Sequence, residues 1–210
     1  MTLEQIQQRC LEFLSGTFSA DAAHDLSHVK RVVKNTSYLT EIENANPLIT
    51  LPAAWLHDCV AVPKDSPQRA QGSRLAAETA VRFLAGIGYS ADLLPEVLHA
   101  IEAHSFSAGI PARTLEARVV QDADRLDSLG AIGIARCLLV GGRLDRPLCE
   151  AGDPFCDERP PDDSRYTLDH FYAKLLRLPD TMHTAAGGAE ARRRADFMRL
   201  YLDRLREEIV

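Results

Sequence analysis

Leu26-Ser27-His28-Val29-Lys30-Arg31-Val32-Val33-Lys34-Asn35-Thr36-Ser37-Tyr38-Leu39-Thr40-Glu41-Ile42 places apolar side chains at 26, 29, 32, 33, 39 and 42. That spacing follows one face of an α-helix and does not alternate as a half-buried strand would. The same period recurs on either side. Leu3, Ile6, Cys10, Leu11 and Leu14 predict a first helix closing near Gly16. After the second helix, Asn46-Pro47 breaks the chain. A third helix is expected to start near Pro52, since proline suits a first turn, and to run into His57-Asp58. Leu75, Ala76, Thr79, Ala80, Phe83 and Leu84 form a fourth, ended by Gly86 and Gly88. Ser90 offers a cap for a fifth, running through Val97 and Ile101 toward His104. A sixth covers about 115 to 140, bent near Asp124. Residues 143–165 interrupt the pattern with Pro147, Pro154, Pro160 and Pro161 and many acids. Leu168, Phe171, Leu175 and Leu176 restore a helix, and Phe197, Met198, Tyr201, Leu202 and Leu205 mark the last. No segment alternates convincingly, so the expected fold is an all-α bundle, one domain over 1–210.

Composition narrows the function classes. The 210 residues suit one large domain with a sizeable core. Lys and Arg number 24 against 30 Asp and Glu, a formal charge of −6. Such a balance argues against the broad positive face of a general nucleic-acid binder. A metal ion and a few cations can still make one pocket attractive to phosphate. The start, Met1-Thr2-Leu3-Glu4-Gln5, lacks the basic and apolar regions of a signal peptide. No apolar stretch approaches the roughly 18 residues of a membrane span, so no membrane partner and a cytoplasmic location are expected. Cys10, Cys59, Cys137, Cys149 and Cys156 are odd in number and form no Cys-x-x-Cys pair. They read as buried free thiols, with no adjacent base to activate one as a nucleophile. The sequence gives no indication of oligomeric state.

The residues suited to chemistry are histidines and aspartates. Ala53-Ala54-Trp55-Leu56-His57-Asp58-Cys59-Val60 sets a polar pair in apolar surroundings, where it needs partners. His-Asp also occurs at His24-Asp25, so the dipeptide alone says little. The wider order says more. His24 and His28 are four apart on one helix, and Val119-Val120-Gln121-Asp122-Ala123-Asp124-Arg125-Leu126-Asp127 adds acids to another. His…His-Asp…Asp gives a mixed nitrogen and oxygen donor set for Mn²⁺, Fe²⁺, Co²⁺, Zn²⁺ or Mg²⁺. Phosphate-binding glycine loops and a Gly-x-Ser-x-Gly elbow are absent.

These segments resemble the HD-domain metal-dependent phosphohydrolases, in their stand-alone bacterial branch. Leu56-His57-Asp58, His104-Ser105-Phe106-Ser107 and Gln121-Asp122-Ala123-Asp124-Arg125-Leu126-Asp127 carry the resemblance. So do Gly130-Ala131-Ile132-Gly133-Ile134-Ala135-Arg136 and Tyr166-Thr167-Leu168-Asp169-His170-Phe171. The resemblance implies a helical bundle and His28, His57, Asp58 and Asp122 as metal ligands. It further implies Mn²⁺ as the favoured ion and nucleoside triphosphates, cut to monophosphate and pyrophosphate, as candidate substrates. Nucleotide phosphomonoester or phosphodiester hydrolysis is the alternative, and a non-catalytic nucleotide- or metal-sensing domain is a second.

Other roles are expectations from position. One metal is expected, with Asp58 and His104 as catalytic candidates and His99 structural. His24 reads as a cap or a supporting residue, with a fifth ligand as the alternative, Asp25 as a cap, and Asp124 and Asp127 as supporting or structural. Lys64 and Arg69, in a loop after the His-Asp pair, are either solvated cations or a phosphate clamp. Arg125, one turn after Asp122, is expected to hold a phosphate or to orient that aspartate. The irregular segment 143–165 is expected to border the site as a cover.

Overall fold

The computed structural model describes residues 1–17, 26–60, 62, 71–105 and 108–209. Among them are nine α-helices and no strand, so the protein is all-α. No helix of the described residues is long and apolar enough to cross a membrane. The chain divides into two compact units, Met1–Asp124 and Arg125–Val210.

The first unit contains α1 (Leu3–Thr17), α2 (Leu26–Glu43), α3 (Pro47–Leu56), α4 (Gly72–Gly86), α5 (Leu94–His104) and most of α6 (Leu115–Leu126). α3 lies at its centre. Every residue from Ile49 to Leu56 is buried, and α1, α2, α4 and α5 all pack on it. Leu56, Leu84 and Ile101 are each fully buried, and each contributes roughly 1.5–3 kcal/mol of transfer free energy. Polar contacts fix how these helices meet. Trp55 Nε1 donates to Gln7 Oε1 at 3.2 Å, and the hydroxyls of Thr40 and Thr50 pair at 2.8 Å. Phe13 and Phe83 stack with ring centroids 4.3 Å apart.

α3 starts earlier than its sequence suggests. Asn46 caps it, its side chain accepting from the Leu48 N–H at 3.0 Å, and Pro47 takes the first-turn position expected of Pro52. Pro52 is therefore inside the helix. It has no N–H to give the carbonyl four residues back, that of Leu48. The Tyr89 hydroxyl donates to that carbonyl instead, which explains how a proline is tolerated there. Burial, together with the negative charge Cys10 would carry, pushes the Tyr89 phenol up to about 12, so it keeps its proton. Gly88, at φ +79°, takes the left-handed position after α4 and brings Tyr89 to this point.

The second unit contains α7 (Gly130–Arg143), α8 (Asp169–Ala173), a 3₁₀ turn (Leu175–Thr181) and α9 (Ala185–Ile209). The single bent helix expected over 115–140 is two helices. Ser128 and Leu129 N–H groups close the end of α6 through 3₁₀-type bonds to Arg125 and Leu126 carbonyls at 3.0 and 3.1 Å. Gly130 then restarts the chain at φ +72°. α7 packs on α9. Residues 144–168 contain no helix, as their prolines predict, yet they have an internal frame. Asp153 accepts the backbone N–H groups of Asp157, Glu158 and Arg159 at 2.9, 2.9 and 3.0 Å. Arg159 forks onto the fully buried Asp169, with Nη2 2.8 Å from Oδ1. Gly141 has no room for a side chain, since a Cβ would stand 2.2 Å from Thr167 Oγ1.

The Tyr89 bond has a measurable consequence. Tyr89→Phe leaves the Leu48 carbonyl without this donor, and urea unfolding should show a loss of about 1–2 kcal/mol. Unchanged stability would show that solvent satisfies the carbonyl equally well.

Candidate metal centre

Four helices of the first unit bring titratable side chains to one place. His28 lies in the first turn of α2, His57 caps the end of α3 with Asp58 next to it, His104 ends α5, and Asp124 sits near the end of α6. His28 Nε2 and His57 Nε2 are 3.4 Å apart. Asp124 Oδ1 is 3.4 Å from His28 Nε2 and 3.9 Å from His57 Nε2. Asp58 spans two histidines, with Oδ2 3.7 Å from His57 Nε2 and Oδ1 3.5 Å from His104 Nε2. Donor atoms of His28, His57 and Asp58 all lie within 4.8 Å of one another.

Backbone carbonyls set the direction of two of the rings. His57 Nδ1 lies 2.8 Å from the Ala54 carbonyl, and His104 Nδ1 lies 2.6 Å from that of Ile101. Each carbonyl accepts a hydrogen bond from the Nδ1–H of the ring three residues later, which turns Nε2 toward the cluster. Neutral His57 then offers a bare Nε2 lone pair, the arrangement metal-binding histidines adopt. Two imidazole nitrogens bound to one ion at about 2.1 Å each, at a tetrahedral angle, stand about 3.4 Å apart. The observed His28–His57 separation matches this, so the residues fit a divalent cation.

The electrostatics separate the histidines. Burial dominates at His57, whose pKa falls below the ordinary imidazole value despite the nearby Asp58 and Asp124. At His104 burial again opposes the charged form. There the hydrogen bond to Asp58, its charge and that of Asp124 prevail, and the pKa rises. Asp124 is buried too, but its contacts with His28 and His57 hold its carboxyl well below the usual range. One cluster thus shifts one histidine toward its neutral form and another toward its charged form.

Asp122 is fully buried, and Asp124 of the same helix brings a carboxylate oxygen 3.4 Å from His28 and 3.9 Å from His57. Two residues apart on one helix point about 160° from each other, so the two cannot take the same side. Gln121, one turn before Asp124 and on its face, reaches the end of α5, which agrees with that orientation. His99 Nε2 accepts the Arg113 N–H at 3.1 Å, a structural contact. Asp127 is buried and pairs with Arg136. Arg125 donates to the Thr181 carbonyl within the second unit. His24, Asp25, Lys64 and Arg69 lie outside the described residues. The cysteines are free thiols, two of them buried and three half-buried. Burial pushes Cys10 and Cys59 up to about 12, which leaves them inert as nucleophiles.

An all-α fold with histidines and aspartates gathered between helices defines a metal-dependent phosphohydrolase of the HD superfamily. The HD domain family model matches residues 25–129, and the chain belongs to that family. YpgQ of Bacillus subtilis is 33% identical over 192 residues, covering 90% of this chain and 85% of that protein. An HD-superfamily hydrolase from Bacillus thuringiensis shares the fold with a TM-score of 0.77 at 33% identity, over 99% of this chain and 98% of that one. The crystal structure of B. subtilis YpgQ in complex with ADP aligns with a TM-score of 0.74 at 30% identity, over 99% and 98% of the two chains.

The histidine assignments can be read directly by ¹⁵N NMR of the metal-free protein. His104 should titrate above 6.5 and His57 below it; the reverse order would show the assignment wrong. The stability consequence has a definite sign. His57 refuses a proton that the unfolded chain accepts, so its contribution is lost as pH falls below 6.5. Asp124 acts in the same sense below the ordinary carboxylate value of 3.8. His104 acts oppositely: its contribution is complete below 6.5 and is lost as pH rises through its raised value.

Proposed function

We propose that the chain binds one divalent cation, Mn²⁺ by preference, through His28, His57, Asp58 and Asp124. In this assignment Asp124 replaces Asp122 as the fourth ligand. The proposed reaction is hydrolysis of a nucleoside triphosphate to monophosphate and pyrophosphate. The observation that carries the metal assignment is the convergence of two imidazole nitrogens 3.4 Å apart with the Asp124 oxygen 3.4 Å from one of them. ADP bound to the YpgQ relative supports a nucleotide as the small-molecule partner.

When bound, the ion supplies Lewis acidity that makes water a better nucleophile and a phosphoryl oxygen a better target. The residues around it divide the proton work. Asp58, between His57 and His104, is placed to accept the proton of the attacking water. His104, whose protonated form Asp58 and Asp124 favour, is placed to donate a hydrogen bond to phosphate oxygen as negative charge builds there. Its Nδ1 bond to Ile101 keeps the donating nitrogen in place. A second reading follows from ADP carrying only two phosphates: a phosphomonoesterase or phosphodiesterase acting on nucleotides.

Product analysis separates these readings. A panel of nucleoside mono-, di- and triphosphates and cyclic nucleotides is incubated with Mn²⁺, and phosphate and pyrophosphate are quantified. Pyrophosphate from triphosphates supports the proposed reaction. Phosphate alone supports the second reading, and no release with either metal or chelator indicates a binding domain. EDTA should abolish turnover.

Variants then test each residue. Asp124→Ala, His57→Ala and Asp58→Ala should each lose bound Mn²⁺ and activity. Asp122→Ala, if it folds, should keep the metal, and loss of metal from that variant instead would restore Asp122 as the ligand. His104→Ala should lower turnover while metal stoichiometry stays at one. Two ions per wild-type chain, falling to one in that variant, would make His104 a ligand.

A further inference from the structure

Two buried side-chain amides grip backbone carbonyls immediately beside the site. Asn35 Nδ2 donates to the Ala123 carbonyl at 3.1 Å, and Gln121 Nε2 donates to the Ala103 carbonyl at 2.6 Å. Both side chains are buried, at 9% and 4% exposure. Ala123 directly precedes Asp124, and Ala103 directly precedes His104. The Ala103 carbonyl belongs to the last turn of α5, where no intrahelical N–H is available to it.

The placement of the two amides relates them to the histidines. Asn35 lies seven residues after His28 on α2, and that spacing returns to nearly the same face. One stripe of α2 therefore meets α6 twice, through His28 to the Asp124 carboxylate and through Asn35 to the backbone just before it. Gln121 lies three residues before Asp124 on α6 and carries the same helix against the end of α5. Gln121 Oε1 is buried and finds no hydrogen-bond partner among the described residues. An unpaired buried oxygen destabilises a fold and offsets part of what the donated bond contributes. The amide at 121 is present despite that cost, and the bond it makes is to the carbonyl just before His104.

We infer that Asn35 and Gln121 are positioning residues that hold the carbonyls before Asp124 and His104, and so set where these two site groups stand. Asn35 acts on the metal ligand, through α6. Gln121 acts on the phosphate-facing histidine, through α5. The inference rests on the metal site as assigned to His28, His57, Asp58 and Asp124.

The test uses the full chain with Asn35→Leu and Gln121→Met. Mn²⁺ dissociation constants are read by electron paramagnetic resonance, kcat and KM on the substrate found by the panel, and thermal unfolding on metal-free protein. Asn35→Leu should weaken Mn²⁺ binding by about ten- to a hundredfold, the usual effect of disturbing a residue behind a ligand. Gln121→Met should keep Mn²⁺ affinity and KM and lower kcat by about tenfold or more at temperatures where the variant is fully folded. Rescue of kcat in Gln121→Asn or Gln121→His, which retain a donor, would add support.

Variants that bind Mn²⁺ and turn over as wild type, or that lose activity only in step with a lower unfolding temperature, overturn the inference. Should Asn35→Leu fail to fold, Gln121→Met still decides, because it removes no packing volume. Asp124→Ala is the control for the underlying assignment. If it loses Mn²⁺ while both amide variants stay normal, the positioning inference alone fails. If it binds Mn²⁺ as wild type does, the site assignment fails and the inference falls with it.

Discussion

His57 has no exposed surface, and a buried imidazole must find partners for both ring nitrogens. One is supplied locally, by the Ala54 carbonyl three residues back in the same helix. The other faces His28, Asp58 and Asp124, groups drawn from α2, the residue after α3 and α6. A helix as apolar as α3 could end in another leucine at lower cost. It ends instead in a polar pair, and the neighbouring helices bring histidines and acids to meet it. The assembly gathers carboxylates and imidazole nitrogens at one point, a mixed oxygen and nitrogen donor set that a divalent cation takes.

The same requirement, that each buried polar atom has a partner, shapes the rest of the chain. Pro52 leaves one carbonyl of α3 without its helical bond, and a tyrosine from the turn after α4 supplies the donor. In the second unit, Asp169 is held by Arg159 and by the Asp162 N–H at 2.7 Å. Asp153 gathers three backbone N–H groups of its own loop. A stretch of prolines and acids is thereby given a defined path without a helix. An excess of carboxylates in the composition is thus partly absorbed by backbone donors and does not all face solvent.

Much of this was legible from residue spacing, and the failures have identifiable physics. The apolar period located α1, α2, α4 and α5 to within a few residues, because each has one face on the core and one in water. α3 was placed too late because its apolar residues surround the whole helix and give no phase. Its start was decided by Asn46 and Pro47, a cap signal that read equally well as a break. The order of His28 and the His-Asp pair along the chain points to residues that the structure brings within 4.8 Å of one another. Order does not separate Asp122 from Asp124, because α6 is buried on nearly every side from Val119 to Ala123. On such a helix, periodicity cannot say which carboxylate meets the histidines. The two positioning amides had no sequence signal, since their partners are backbone atoms that any residue supplies.

The ligands proposed for the ion come from positions 28, 57, 58 and 124, in α2, the end of α3 and α6. Such a centre has a folding-kinetic consequence. No short segment of the chain holds enough ligands to retain an ion, so an unfolded or partly made chain captures metal poorly. The ion can bind well only after contacts between distant residues have formed, late in folding. Its binding energy should therefore appear mainly in the unfolding rate, slowing escape from the native state and leaving the speed of folding little changed.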